Sequence, residues 1–232
     1  MSPTAFIAGA TGYTGSALVR VLAESGKTVV AHVRPDSSRL DEWRSRFEAL
    51  GAVVDATPWE EARMLETLRE RAPSVIYALL GTTKARKRAS AGRDDYESVD
   101  YGLTALLLHA AVGSGIRPRF VYLSSVGATP TTKNPYLQVR ARLEREIRES
   151  GLPYTLVRPS FITGADREDG RLGERIGAGV VDVSLSVLGA LGARSMASRY
   201  RSTTGMALAT ALARVGFDPS FENRVAQGED LR

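Results

Sequence analysis

Seven residues near the amino terminus, Gly9-Ala10-Thr11-Gly12-Tyr13-Thr14-Gly15, constrain this chain more than any other stretch. They follow a short apolar run at 5–8. They precede residues 14–25, where Leu18, Val21 and Leu22 recur at helical spacing. A GxxGxxG triplet between a strand and a helix makes three separate demands. The first glycine permits the tight turn, the second lets backbone approach a pyrophosphate with no Cβ in the way, and the third lets the helix pack closely on the strand. The start of the helix then offers N–H groups and the positive end of its dipole to the phosphates. Thr11, Tyr13 and Thr14 lie in the same turn and belong to the expected cradle. No Gly-Lys-Ser/Thr follows at the right spacing, so a Walker-type mononucleotide loop is excluded.

Short apolar runs alternate with longer amphipathic ones beyond this loop. Strands are predicted at 28–33, 52–56, 74–80, 119–123 and 154–158. Helices are predicted at 37–50, at 58–71 with Thr57 as N-cap ahead of Pro58, at 96–114 ended by Gly115, and at 135–150. The last of these carries Arg140, Arg142, Glu144, Arg145, Glu146, Arg148 and Glu149, and reads as a solvent-facing helix. Such alternation is the signature of a parallel sheet covered by helices on both faces. The predicted fold is α/β, a Rossmann-like doubly wound parallel sheet. After Pro159 the pattern loosens into a glycine-rich loop, a weakly helical stretch and a better helix at 202–215. The chain is therefore expected to form a single domain over 1–232. Its core is 1–159, with a small C-terminal cap region and helices at 160–232 over the carboxyl edge of the sheet.

Composition removes several chemistries. Cysteine is absent, which excludes disulfides, thiolate nucleophiles and cysteine-based zinc sites. His32 and His109 are the two histidines, too few for a three-histidine metal centre, and no metal is expected. His32 reads as a strand histidine, packed or partly exposed, and His109 as a core or interface residue. Trp43 and Trp59 read as packing. The formal net charge of +5 points to anionic partners. The basic run Lys84-Ala85-Arg86-Lys87-Arg88 has no aromatic residue and no recognisable module, so it reads as a solvated or anion-attracting rim and no nucleic acid is expected. Residues 179–193 contain Asp182 and fall short of the ~18 apolar residues of a membrane span. No membrane partner is expected, and with no secretory leader visible the predicted location is cytoplasmic.

A dinucleotide site needs a reader of the adenosine ribose after the second strand. An acid there favours NAD and an arginine favours NADP. Arg34 stands at that strand end, and its guanidinium suits a 2′-phosphate. Ser37, Ser38 and Arg39 follow as assistants. Asp36 is the opposing residue, able to take a ribose hydroxyl instead. NADP(H) is the expected cofactor and NAD(H) the second candidate.

The residues Gly9–Gly15, Leu80-Gly81-Thr82-Thr83, Leu123-Ser124-Ser125, Tyr136-Leu137-Gln138-Val139-Arg140 and Val157-Arg158-Pro159, in that order, resemble the atypical short-chain dehydrogenase/reductases. Within them the chain is most similar to the NAD(P)-binding, Tat-interacting-protein-like branch, with NmrA-like proteins as more distant relatives. The resemblance implies a hydride-transferring oxidoreductase. A tyrosine hydroxyl gives or takes the proton and a serine hydroxyl holds the developing alkoxide. Tyr136 matches the tyrosine. Ser125 is the first choice for the serine and Ser124 the second. Arg140 stands where the family has lysine, four residues after Tyr136 on one helix face. It keeps the charge and is cast as cofactor anchor, but it cannot pass on a proton as lysine does. Gly81 and Thr82 are placed near the ribose or nicotinamide, with Thr83 less firmly assigned. Asp55 is placed near the adenine amino group, and Pro159, Ser160 and Phe161 beside the nicotinamide.

The leading reading is an NADP(H)-dependent oxidoreductase acting on a small-molecule carbonyl or alcohol. A different class is an NADP(H)-binding regulatory or redox-sensing protein with a protein partner and little or no turnover. An epimerase or isomerase using the cofactor transiently is a third. Helices 96–114 and 135–150 are candidate dimer elements, but the charge of the second argues for a monomer or weak homodimer.

Overall fold

The computed structural model describes residues 3–81, 96–160 and 204–232. Its elements are β1 (Thr4–Ala8), α1 (Tyr13–Glu24), β2 (Thr28–His32), α2 (Leu40–Glu48), β3 (Val53–Asp55), α3 (Glu61–Arg71) and β4 (Val75–Ala78). A π-helical segment (Tyr96–Leu103) leads directly into α4 (Thr104–Ser114). Then come β5 (Arg119–Leu123), α5 (Pro135–Glu149), β6 (Tyr154–Arg158), α6 (Gly205–Phe217) and β7 (Arg224–Gln227). Single 3₁₀ turns, Pro219–Phe221 and Gly228–Leu231, flank β7.

The seven strands form one sheet in the order β3-β2-β1-β4-β5-β6-β7. Every pairing is parallel, which requires crossovers and buries both faces. Alternation along the strands divides the core. Ala5, Ile7, Val29, Ala31, Tyr77 and Val121 face Leu18 and Leu22 of α1, Phe47 of α2 and Leu208 and Leu212 of α6. Phe6, Ala8, Ile76, Phe120 and Tyr122 face Met64 of α3, Leu107 of α4 and Leu143 and Ile147 of α5. The strand order reverses between β1 and β4, and open α/β sheets bind ligands in the crevice at that point.

The predicted α/β fold is thus the observed one, with three local corrections. The first concerns the C-terminus. Residues 204–232 do not form a cap: α6 packs against α1, and β7 adds a seventh strand beside β6. β7 is four residues long, Arg-Val-Ala-Gln, too short and too polar to signal a strand by itself. Residues 161–203, where the rest of the cap was expected, lie outside the described residues. Arg119, at the start of β5, holds the C-terminal region to the sheet. Its Nη1 donates to the carbonyls of Val215, Gly216 and Asp218, and its Nη2 to Glu222 at 3.0 Å, so a buried cation satisfies the open end of α6.

The second correction is at α3. The helix begins at Glu61, and the Thr57 hydroxyl meets that of Thr67 at 2.7 Å instead of capping. Asp55 Oδ1 accepts from the Thr57 N–H at 3.0 Å, which turns the chain out of β3 before the helix can start. The third is the single helix expected at 96–114, whose first eight residues are π-helical.

His32 is buried between Phe6 and Trp59, its ring 4.6 Å from the Trp59 centroid. Nε2 lies 2.8 Å from the Thr57 carbonyl, which can only accept, so Nε2 carries the hydrogen. Desolvation by burial lowers the imidazole pKa below 6.5, outweighing the upward pull of Thr57 and Asp55. The unfolded chain then takes up a proton at a pH where the folded chain does not. Stability is expected to fall as pH drops below 6.5. His32 accounts for a slope of at most about 1.4 kcal/mol per pH unit. Urea midpoints at two pH values spanning this window check it. His32→Phe should flatten the difference, and an unchanged difference would assign the acid sensitivity elsewhere.

Candidate functional site

The glycine loop closes at the carboxyl end of β1. Gly9 has φ +88°, and a Cβ there would lie 2.7 Å from the Leu79 carbonyl oxygen of the neighbouring chain after β4. A Cβ on Gly15 would lie 2.1 Å from the Gly9 carbonyl oxygen. Gly12 is different. Its φ of −75° suits any residue, and among the described residues its Cβ would meet only the Gly9 oxygen, at 3.3 Å. Packing therefore demands Gly9 and Gly15 but scarcely Gly12. Thr11 and Gly12 are exposed, and Gly12 stands at the N-cap of α1, which has no side-chain cap and no acidic residue in its first turn. An uncapped helix start behind a turn kept clear of side chains fits the pyrophosphate of a dinucleotide. Thr14 is buried in the helix start. The Tyr13 ring lies against Gly205 at the head of α6, where a Cβ would approach it to 2.2 Å.

Arg34 and Asp36 stand past the end of β2, beside the loop. They pair loosely, Nη1 to Oδ2 at 3.5 Å, with side-chain exposures of 43% and 74%. Arg39 is held differently, donating to both oxygens of Glu42 at 2.7 and 2.5 Å. Asp55 is buried at the end of β3, with Oδ1 engaged by the Thr57 N–H.

The ends of β4, β5 and β6 and the face of α5 supply the other half of the site. Asn134 caps α5, accepting from the N–H groups of Tyr136 and Leu137, with Pro135 in the first turn. The helix is not the solvent-facing one its charges suggest. Val139, Arg140, Leu143, Glu144 and Ile147 are all buried, a single stripe that includes two opposite charges four residues apart. Arg140 Nη1 donates to the Tyr122 hydroxyl and the Leu123 carbonyl, both at 2.9 Å. Nη2 donates to Asp100 at 2.7 Å and to the Leu80 carbonyl at 3.4 Å. Burial opposes the charge on Arg140, but Tyr122, Tyr136 and Asp100 favour it and the net shift is upward, so the guanidinium is always charged. Its carbon lies 5.0 Å from the Tyr136 ring centroid. Gly81 borders this pair, and a Cβ there would touch Arg140 Nη2 at 3.4 Å.

The two serines after β5 separate cleanly. Ser124 is buried and donates to Glu144 at 2.6 Å. Glu144 also receives Nε and Nη2 of Arg158, at 2.8 and 2.5 Å, and Arg148 at 3.3 Å. Ser125 is half-buried, and its hydroxyl makes a long 3.3 Å bond to the Val126 carbonyl. The Ser124–Val126 turn is pinned to β6 by the carbonyls of Val157 and Pro159. Tyr136 is half-buried and packs edge-on against Tyr96 at 5.3 Å, its hydroxyl without a hydrogen-bond partner among the described residues. Pro159 is buried at the end of β6, and Ser160 is half-buried beside it. Thr82, Thr83, Phe161 and the basic run at 84–88 lie outside the described residues.

Asp100, Tyr122, Glu144 and Arg158 were not anticipated as site residues. A signal for Glu144 was present: it shares the helix face of Tyr136 and Arg140 and lies between Leu143 and Ile147. Asp100 had none, because a π-helical segment sets its direction.

The comparisons with known proteins agree with this geometry. Residues 9–185, more than half of the chain, match the family model described as NAD(P)H-binding. The chain belongs to the NAD(P)H-binding family. Among its relatives is protein FMP52, mitochondrial, of Debaryomyces hansenii, 31% identical over 164 residues, which span 69% of this chain and 67% of that one. Solved structures with the same fold include the UDP-glucose 4-epimerase of Brucella ovis in complex with NAD. It is 19% identical with a TM-score of 0.67, covering 97% of this chain and 76% of that one. They also include the NADPH-dependent quinone oxidoreductase of Escherichia coli complexed with NADPH. It is 20% identical with a TM-score of 0.63, covering 96% and 67%. These solved structures share the Rossmann-like α/β fold of this chain. The cytoplasmic location expected from the sequence does not stand, because the FMP52 relatives from several fungi are all named mitochondrial proteins. Among the described residues, no helix of this family member is long and apolar enough to cross a membrane.

Proposed function

We propose that this NAD(P)H-binding protein is an oxidoreductase that prefers NADP(H) and acts on a small carbonyl or alcohol. Gly9, Thr11, Gly12, Tyr13, Thr14 and Gly15 hold the pyrophosphate, and Arg34 meets the 2′-phosphate. Gly81 and Pro159 border the nicotinamide end, which Thr82 joins in the sequence reading, and Asp55 borders the adenine. The nicotinamide, when bound, gives or accepts the hydride. Tyr136 passes the proton to or from the substrate oxygen, and Ser125 donates a hydrogen bond to that oxygen as charge develops. The observation that carries this reading is the division of labour on α5 and after β5. Glu144 engages Ser124, whereas the hydroxyls of Ser125 and Tyr136 have at most one weak bond among the described residues. The Arg140 cation lies 5.0 Å from the Tyr136 ring centroid.

Arg140 supports a changed role from the one the motif implies. Both terminal nitrogens are committed to the protein, so Arg140 is a pin between β4, β5 and Asp100, and neither a ribose ligand nor a proton relay. This observation favours the second reading, a dinucleotide-binding regulator with little turnover.

NADPH oxidation with a panel of small aldehydes, ketones and quinones tests the two. Tyr136→Phe is expected to lower turnover about 100-fold or more and to change the Kd for NADPH less than about threefold. Turnover that survives the substitution would remove Tyr136 from the chemistry. Tight NADPH binding with no oxidation across the panel would favour the regulator.

A further inference from the structure

The loop after β2 holds both a reader for a 2′-phosphate and a carboxylate that resembles one. Arg34, Pro35, Asp36 and Ser37 form a turn closed by the Ser37 N–H donating to the Arg34 carbonyl at 3.1 Å. Pro35 occupies the second position, where its locked φ pre-forms the turn. Asp36 is thereby brought back to Arg34, Oδ2 to Nη1 at 3.5 Å. The other cation of the loop, Arg39, is bound at both ends of its fork by Glu42 and lies 5.1 Å from the Trp43 ring centroid. Arg34 is therefore the loosely held arginine of this loop.

We infer that Asp36 is a tethered competitor for the 2′-phosphate. It neutralises Arg34 in the cofactor-free protein, must yield when a 2′-phosphate arrives, and then repels that dianion at close range. For NADH, which has no 2′-phosphate, neither cost arises, and the carboxylate can accept from the ribose hydroxyl. Asp36 thus narrows the preference that Arg34 creates, so that the protein binds both cofactors. Because the turn is encoded locally, by four consecutive residues, the competitor is in place before binding and needs no rearrangement elsewhere. The inference rests on the reading that the glycine loop holds a dinucleotide with Arg34 at its ribose.

The test is fluorescence titration of the full chain with NADPH and NADH at about 0.1 M salt, where exposed charges still interact. Asp36→Asn keeps the turn and removes the charge. Its NADPH Kd is expected to fall about five- to tenfold, and its NADH Kd to stay equal or rise. The gain should shrink at about 1 M salt, and Asp36→Glu should keep the wild-type ratio. A ratio within about twofold of wild type in Asp36→Asn would overturn the inference while leaving the dinucleotide reading intact. Unaltered NADPH affinity in Arg34→Gln would overturn it too, by removing the residue for which Asp36 competes. A wild-type protein that binds neither cofactor would overturn both.

Discussion

Gly15→Ala is expected to destabilise the protein by about 3 kcal/mol or more and to abolish dinucleotide binding, the largest effect of any single methyl addition in the loop. The added Cβ would lie 2.1 Å from the Gly9 carbonyl oxygen, 2.9 Å from its carbon and 3.0 Å from the Cα of Ala10. All three are backbone atoms. No rotamer change relieves the clash, and α1 would have to move away from β1 or the turn would have to open. Either shift displaces the helix start to which the phosphates are proposed to bind. Gly12→Ala is the informative partner. Among the described residues its Cβ meets only the Gly9 oxygen, at 3.3 Å, so the fold should survive with a loss below about 1 kcal/mol. Binding should still be lost if, as proposed, the pyrophosphate approaches the backbone at Gly12. Urea unfolding and NADPH titration on both variants check the pair. If Gly12→Ala binds NADPH as tightly as wild type, the phosphates do not sit at this turn.

Arg140→Met is expected to cost about 3–5 kcal/mol, the usual penalty for removing one partner of a buried ion pair. The pair is Arg140 and Asp100, with side-chain exposures of 6% and 1%. Methionine fills much of the volume but leaves the Asp100 carboxylate buried without this cation. It also leaves the Leu80 and Leu123 carbonyls without this donor at the ends of β4 and β5. Asp100→Asn in the same chain should recover part of the loss by removing the charge that Arg140 neutralised, a coupling that a double-mutant cycle measures. Arg140→Lys should fall between, since one ammonium can meet Asp100 but cannot span Tyr122, Leu123 and Leu80 together. The distinction matters for function. A cofactor anchor would leave the denaturant midpoint in place when removed and weaken only NADPH binding. A pin lowers the midpoint in the absence of any cofactor.

The same residue shows how far one-dimensional reading reaches. Tyr136 and Arg140 were placed correctly on one helix face, since spacing of four residues fixes that. Their surroundings were not. A helix with seven charged positions reads as solvated, yet Arg140 and Glu144 point inward. Each charge finds its partner on another element: Asp100 in the π-helical segment, Ser124 after β5, Arg158 at the end of β6. Burial of an arginine depends on those distant partners, and no local pattern encodes them. The choice between Ser124 and Ser125 has the same character. Adjacent identical residues are indistinguishable by spacing, and only the position of Glu144 tells them apart.

The glycine loop lies at the other extreme. Its conformation follows from what glycine permits at positions 9 and 15, and its place from the apolar run before it and the amphipathic run after it, all within 25 residues of the amino terminus. The six-fold alternation of strands and helices likewise carries its own topology, because parallel strands with right-handed crossovers leave few alternatives. So the α/β architecture, the conformation of the glycine loop and the Arg34–Asp36 turn were set by local sequence. The seventh strand, the seating of α6 by Arg119 and the buried Arg140–Asp100 and Glu144–Arg158 pairs were decided by tertiary structure alone. Each of them joins residues far apart in the chain, and a short polar strand or a buried charge is stable only when the partner that completes its hydrogen bonds is already beside it.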